Sequence, residues 1–344
     1  MRRHPNLIAL ACGVVASAIG IVLGLSIHWF PKIASTQAHE VHTLWDVMII
    51  VSVPIFVLVA TVVLTAVVRF RMRPGQEDVD GPPIHGNTRL EVIWTVVPSL
   101  LILGLCVYSY IVLTDIEKAP AATPRELKVD VKGQQFAWTF TYPKEVTGGQ
   151  PLNTTELVLP KDRSVRFSIV SNDVIHDFWV PDFSMKIDAV PGITTHYRVT
   201  PNRLGTYPVV CAELCGLGHS VMRSSVRVVE PAAFEAWLKK AQQPTTPANA
   251  TPAQQNEAGK QVFASNGCGG CHTLSDAGSN GQIGPDLDNV LKGQSDAQIR
   301  QDIVDPNAKI TPGYGPDIMP GTFGQTISPT DLDALVAYLK EATQ

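Results

Sequence analysis

Charge is scarce in this chain. Asp, Glu, Lys and Arg make up 17% of its 344 residues, and the formal balance is only −4. A polyanionic partner needs a basic surface, so no nucleic acid is expected. Cysteine is scarce too: six residues in 344 cannot staple a chain of this size in the manner of small secreted scaffolds. Histidine, nine in all, is sparse where it matters. Residues 120–241 hold only His176, His196 and His219, and beyond residue 255 there is one histidine, His272, and one methionine, Met319. The choice of metal ligands is therefore narrow before any geometry is known.

Charge is wholly missing from three apolar stretches, residues 7–27, 47–68 and 92–113. Each is near the ~20 residues that cross a bilayer as a helix, and none has the polar stripe of a buried soluble helix. The second and third predict a transmembrane hairpin. The first, preceded by Arg2 and Arg3, suits either a signal peptide, with Thr36-Gln37-Ala38 as a cleavage site, or a further span. Too little apolar sequence precedes Cys12 for a lipidation box. Arg69, Arg71, Arg73 and Arg89 lie between the second and third stretches. Positive loops stay cytoplasmic, so everything after residue 113 is expected outside.

From about 123 to 230 the pattern alternates as strands do, for example at 127–131, 164–170 and 225–229, with Pro and Gly between runs. This predicts an all-β sandwich or barrel, followed by a short helix at 234–241. Residues 242–252 carry three prolines and no apolar period, which predicts an extended, semi-stiff linker. The rest is expected to be helical, closing with an amphipathic helix at 331–340. The domain plan is thus 1–38 signal or first span, 39–119 hairpin, 120–241 β domain, 242–255 linker and 256–344 helical domain.

The sharpest constellation is Cys211-Ala212-Glu213-Leu214-Cys215-Gly216-Leu217-Gly218-His219-Ser220-Val221-Met222. Thiolate and thioether are soft donors, and with imidazole they favour copper. A mononuclear copper loop has one Cys; two thiolates can bridge two copper ions and share one odd electron. The second imidazole has to come from elsewhere, and His176 is the candidate. His196 sits in an ordinary strand pattern. Met185 rivals Met222 as the weak ligand, but Met222 keeps the local spacing. A Cys211–Cys215 disulfide is the bland alternative, and it leaves His219 and Met222 in register without a purpose. Further on, Cys268-Gly269-Gly270-Cys271-His272 is the CxxCH signature of covalent haem c attachment. His272 and Met319 then form the one available axial pair. Cys12 and Cys106 lie in apolar stretches and need no role.

These motifs resemble subunit II of the haem-copper cytochrome c oxidases, from about residue 41 to 229, through the hairpin, residues 174–192 with Ala189-Val190-Pro191-Gly192, and the Cys211 loop. With the haem motif, the whole chain is similar to the cytochrome-c-fused subunit II of a caa-type oxidase. The resemblance implies a cupredoxin-like β domain and an all-α class I cytochrome c domain. It implies a dinuclear CuA centre held by the side chains of His176, Cys211, Cys215, His219 and Met222 and the backbone carbonyl of Glu213. In the family the carboxylate matching Glu213 also reaches a magnesium ion at the subunit I interface. Glu91 matches a carboxylate at the mouth of a proton channel; an ordinary membrane-interface charge is the other reading. Phe136-Ala137-Trp138 matches an aromatic Trp-Tyr-Trp patch that receives electrons. Trp138 persists, but Phe136 replaces the usual receiving Trp, which counts against docking of a separate cytochrome c there. The implied partners are subunit I and other oxidase subunits, the membrane, and a cytochrome or cytochrome bc complex as donor. The implied location is a bacterial cell membrane, multi-pass, with both metal domains on the outer side. The rivals are an electron-input subunit of a CuA-containing nitric oxide reductase, and a copper carrier, which would have no use for a haem.

Overall fold

The structure, a computed structural model, describes residues 5–72, 74, 75, 83, 85–118, 126–243, 246, 247 and 249–344. Arg2, Arg3, Arg73, Pro244, Thr245 and Ala248 lie outside the described residues. The chain divides into two units, residues 1–31 with 39–118, and residues 32–38 with 119–344.

The first unit is built from helices Pro5–Ser26, Thr36–Phe70 and Thr88–Ile116. All three are long and apolar enough to cross a membrane. Their side chains point outward, as Phe56 and Val68 do, which suits lipid or another membrane-embedded chain. The first helix packs on the second through small residues. A Cβ on Gly20 would stand 2.8 Å from Val53, and one on Gly24 2.8 Å from Ile49, so only glycine lets the backbones come this close. Trp29 Nε1 donates to the Gly24 carbonyl at 2.7 Å, and the Trp29 ring meets Trp45 edge-on. The Thr88–Ile116 helix starts on a reciprocal cap. Asn87 accepts from Leu90 N, and Glu91 Oε1 accepts from Asn87 N at 3.1 Å.

The second unit opens with residues 32–38, which belong to the β domain. Ser35 bridges to Pro201, Ala34 N donates to Asp182 O, and Ala34, Ser35 and Ala38 are buried. Within the Thr36-Gln37-Ala38 segment, Ala38 is buried while Thr36 is exposed.

Ten strands form the two sheets expected of a sandwich: β1 Leu127–Gln134, β2 Ala137–Tyr142, β3 Leu152–Thr154, β4 Leu157–Pro160, β5 Val165–Ser171, β6 His176–Val180, β7 Met185–Ala189, β8 Thr195–Val199, β9 Gly205–Cys211 and β10 Arg223–Val229. One sheet runs β3-β2-β1-β5-β8, the other β4-β10-β9-β6-β7. Alternation decides what lies between them. In β1, Leu127, Val129 and Val131 are buried while Lys128 and Asp130 face out. Trp138, Phe140, Phe167 and Phe178 fill the centre, with Trp138 and Phe178 centroids 5.3 Å apart, a favourable edge-to-face geometry.

Helices Pro252–Ser265, Asp296–Val304 and Pro329–Ala342 frame the C-terminal domain. The first and last of them cross at Gly259, where a Cβ would meet the Ala334 carbonyl at 2.1 Å. Two features correct the linker expectation. Pro252 does not break structure but begins a helix, capped by Thr251 with Gln254, because proline suits the first helical position. And Thr246, inside the expected linker, is anchored: its N and Oγ1 both donate to Asp331 Oδ1 at 2.9 Å.

Candidate copper and haem centres

The copper loop is the crossing from β9 to β10. Register explains how a distant histidine joins it. Phe178 pairs with Cys211, so His176, two residues earlier on β6, faces the same side beyond the end of β9. His176 is fully buried. Gly133 makes room for it, since a Cβ there would stand 3.0 Å from both the His176 and Trp138 rings.

The two sulfurs lie 3.8 Å apart and neither cysteine is bonded. That is far beyond the ~2.05 Å of a disulfide, and it suits two thiolates facing shared metal ions. His176 Nδ1 is 3.9 Å from Cys211 Sγ, and His219 Nδ1 is 3.6 Å from Cys215 Sγ. Met222 Sδ is 3.8 Å from Cys215 Sγ, and the Glu213 carbonyl is 3.3 Å from Cys211 Sγ. His176, Cys211 and Cys215 are also grouped as a metal-binding cluster by distance alone. Soft sulfur with two imidazoles is a donor set that fits copper. Burial works against both thiolates. At Cys211 the His176 ring and backbone N–H groups outweigh it and the pKa falls to about 7. At Cys215 burial and the neighbouring Cys211 charge push the thiol up. Met185 is buried in β7 opposite Val180, and no sulfur contact joins it to the loop among the described residues. His196 lies on β8 with its side chain exposed, as its pattern suggested. The Glu213 side chain is exposed, and no described residue joins it to form a magnesium site.

Two neighbours escape a sequence scan. Gln135 Nε2 donates to the Cys215 carbonyl at 2.5 Å. Asp173 Oδ1 accepts from His176 Nε2 at 2.8 Å. The three-residue spacing of Asp173 and His176 was visible, but nothing in it tells a strand-end contact from a solvated acid.

The second centre is a cleft of about 720 Å³ in the C-terminal domain, lined by Cys268, Cys271, His272, Pro285 and Met319 with Leu287, Ile299, Ile303, Leu335 and Leu339. It is apolar and large enough for a flat macrocycle. His272 Nδ1 donates to the Pro285 carbonyl at 2.9 Å, which leaves Nε2 as the nitrogen offered to a metal. A Cβ on Gly284 would stand 2.5 Å from that ring, so glycine lets the Gly284-Pro285 loop press against it. Burial lowers the His272 pKa, with the Pro285 carbonyl working against it, and the ring is held as a neutral donor. These residues fit a haem c.

The cleft also has walls from the β domain: Phe136, Ala137, Trp138, Thr155 and Arg223. Thr155 Oγ1 contacts the Ser265 carbonyl across this seam. Phe136 lies against the copper loop on its other side, since a Cβ on Gly218 would fall 2.4 Å from its ring. Phe136 thus stands between the haem cleft and the Cys215–His219 segment.

Known proteins match the chain in three successive blocks: cytochrome C oxidase subunit II, transmembrane domain, over residues 22–112; cytochrome C oxidase subunit II, periplasmic domain, over 150–229; and cytochrome c over 256–343. Cytochrome c oxidase subunit 2 of Thermostichus vulcanus is 34% identical over 285 residues, covering 68% of this chain and 84% of the relative. The protein of the same name from Alkalihalophilus pseudofirmus is 31% identical over 320 residues, covering 88% and 87%. The crystal structure of the periplasmic domain of subunit II of cytochrome oxidase (CoxB) from Bradyrhizobium japonicum is 29% identical and covers 36% of this chain and 97% of that one, with a TM-score of 0.33.

Proposed function

The chain belongs to the cytochrome c oxidase subunit 2 family, with a cytochrome c domain over residues 256–343, and on that premise we propose that it is the electron-input subunit of a respiratory terminal oxidase. It relays electrons from a cytochrome or cytochrome bc donor through haem c and the dinuclear CuA centre to the haem–copper site of subunit I, where oxygen is reduced and protons are translocated. The observation that carries this reading is that one β-domain turn, at Phe136, borders both the haem cleft and the copper loop. The location is a bacterial cell membrane, with both metal domains on the outer face.

When bound, the two centres supply one-electron redox chemistry. The thiolates of Cys211 and Cys215, the imidazoles of His176 and His219, the Met222 thioether and the Glu213 carbonyl would hold the copper pair. Cys268 and Cys271 would anchor a haem c by thioethers, and His272 and Met319 would be the residues that ligate its iron. Burial of His176, Cys211, Cys215 and Met222 in the sandwich shields these donors from water and would limit rearrangement on electron transfer. The exposed Glu213 carboxylate supplies one side of a magnesium site completed by subunit I. Glu91 is offered as the channel-mouth carboxylate, a role compatible with its capping of Asn87. Trp138, fully within the core beside His176, and Phe136 form the aromatic path.

Light-driven one-electron reduction of haem c in the purified complex tests the relay. The haem should reoxidise as the copper absorption changes by an equal number of electrons, at a rate independent of protein concentration. A haem that stays reduced, or a rate that climbs with concentration, would contradict an internal relay. Met319→Ala tests the axial assignment. A thioether raises the haem potential, so the variant should show a lower potential and lose its sulfur–iron charge-transfer band. Each hundredfold of lost preference for the reduced iron reads as about 120 mV. An unaltered potential and band would place the sixth ligand elsewhere.

A further inference from the structure

We propose that Asp173 is a positioning residue for the copper site: it grips the imidazole of His176 by Nε2, fixes Nδ1 as the nitrogen turned to the metal, and holds the potential of the copper pair down. The inference rests on the copper assignment made above and adds a residue outside the ligand set.

The geometry is specific. His176 Nε2 lies 2.8 Å from Asp173 Oδ1, while Nδ1 is the ring nitrogen facing Cys211 Sγ. The ring is fully buried and cannot turn freely, because Gly133 and Trp138 close on it. With a carboxylate at Nε2, the proton sits there and the lone pair sits on Nδ1. Asp173 is itself held. Gln135 N donates to Oδ2 at 2.7 Å, Val174 N donates to Oδ1 at 2.7 Å, and Ser171 Oγ donates to Oδ1 at 3.2 Å. Both oxygens are occupied, so the carboxylate is locked in place instead of waving in solvent. No carboxylate is bonded to His219 among the described residues. Among the described residues the two imidazoles therefore differ: His176 has a charged anchor and His219 has none.

The chemistry follows from charge. An imidazole that gives its remote N–H to a carboxylate is a stronger donor. A stronger donor and a nearby negative charge both favour the oxidised, more positive copper pair, which lowers the potential. Remove the charge and the potential rises.

Asp173→Asn in the full chain is the test. The amide is the same size, but it offers one acceptor where Gln135 N and His176 Nε2 both donate, so one donor is left unpaired. The copper potential should rise while the haem c potential, read in the same sample, stays put; a tenfold weaker hold on the oxidised relative to the reduced pair reads as about +59 mV. Copper retention against a chelator should fall ~10–100-fold, as for other outer partners of metal-bound histidines. Asp173→Glu, which keeps the charge, should lie between the variant and the wild type. An Asn variant with unchanged copper potential and retention, even one that melts earlier, would reduce Asp173 to a loop-folding role and overturn the proposal. Should the variant not fold, the wild type still decides: the Nε2 proton of one copper-bound histidine should exchange slowly and the other fast, and equal exchange would overturn it. Failure of the copper assignment looks different, as a wild-type chain with no mixed-valence signal at all.

Discussion

Cys215→Ser should abolish the mixed-valence copper signal, the hyperfine pattern of one electron shared by two nuclei, and leave at most a single-copper spectrum. The loop places its donors in two sets around two sulfurs. His176 and the Glu213 carbonyl lie by Cys211; His219 and Met222 lie by Cys215. At 3.8 Å apart, the sulfurs can each face both ions. A serine hydroxyl is hard and stays protonated at neutral pH, so it cannot replace a bridging thiolate. The haem spectrum should be untouched, because no haem ligand lies within the loop. The measurement is electron paramagnetic resonance on the oxidised variant with copper counted per chain. Two coppers and an unchanged mixed-valence pattern would remove Cys215 from the bridge.

Much of this candidate site is legible in the sequence. Five of the proposed ligands cluster within twelve positions, and histidine is so sparse that the sixth donor has few candidates. The strands were legible because burial alternates with side-chain direction, as at Leu127, Val129 and Val131. What stayed hidden depends on register or on contacts far apart in the chain. Thr246 and Asp331 are 85 positions apart, and no local pattern announces their bond; the prolines around Thr246 suggest an extended, semi-stiff linker. The sequence offers Thr36-Gln37-Ala38 as a cleavage site; nothing local in it announces that Ala38, with Ala34 before it, is buried. The replacement at Phe136 was read as a weakened docking spot. In the structure its ring backs the copper loop and walls the haem cleft, a position that only the β1–β2 turn and the seam at Ser265 together create.

Those seam contacts bear on how electrons reach copper. Thr246 is bonded to Asp331 of the haem domain, so few residues separate the closing helix Pro231–Ala241 from that domain. Tethering of this kind multiplies an interaction ~10²–10⁴-fold without new contacts. The haem domain also carries eleven acidic against five basic residues from Glu257 onward, a balance suited to recruiting a basic or membrane-bound donor. A free carrier, by contrast, would meet Phe136, Ala137 and Trp138 already walled by the resident domain.

Deleting everything after Ala241 tests the claim that the fused cytochrome is the route to copper. None of the proposed copper ligands lies beyond Met222, and the sandwich keeps its closing helix Pro231–Ala241, so the mixed-valence spectrum should persist in the assembled complex. Oxygen uptake with the physiological donor, at moderate ionic strength and without added cytochrome, should fall by ~10²-fold or more, the advantage that the tether supplies. Intact copper with near-normal uptake would show that the arm is dispensable and that electrons enter the copper pair directly.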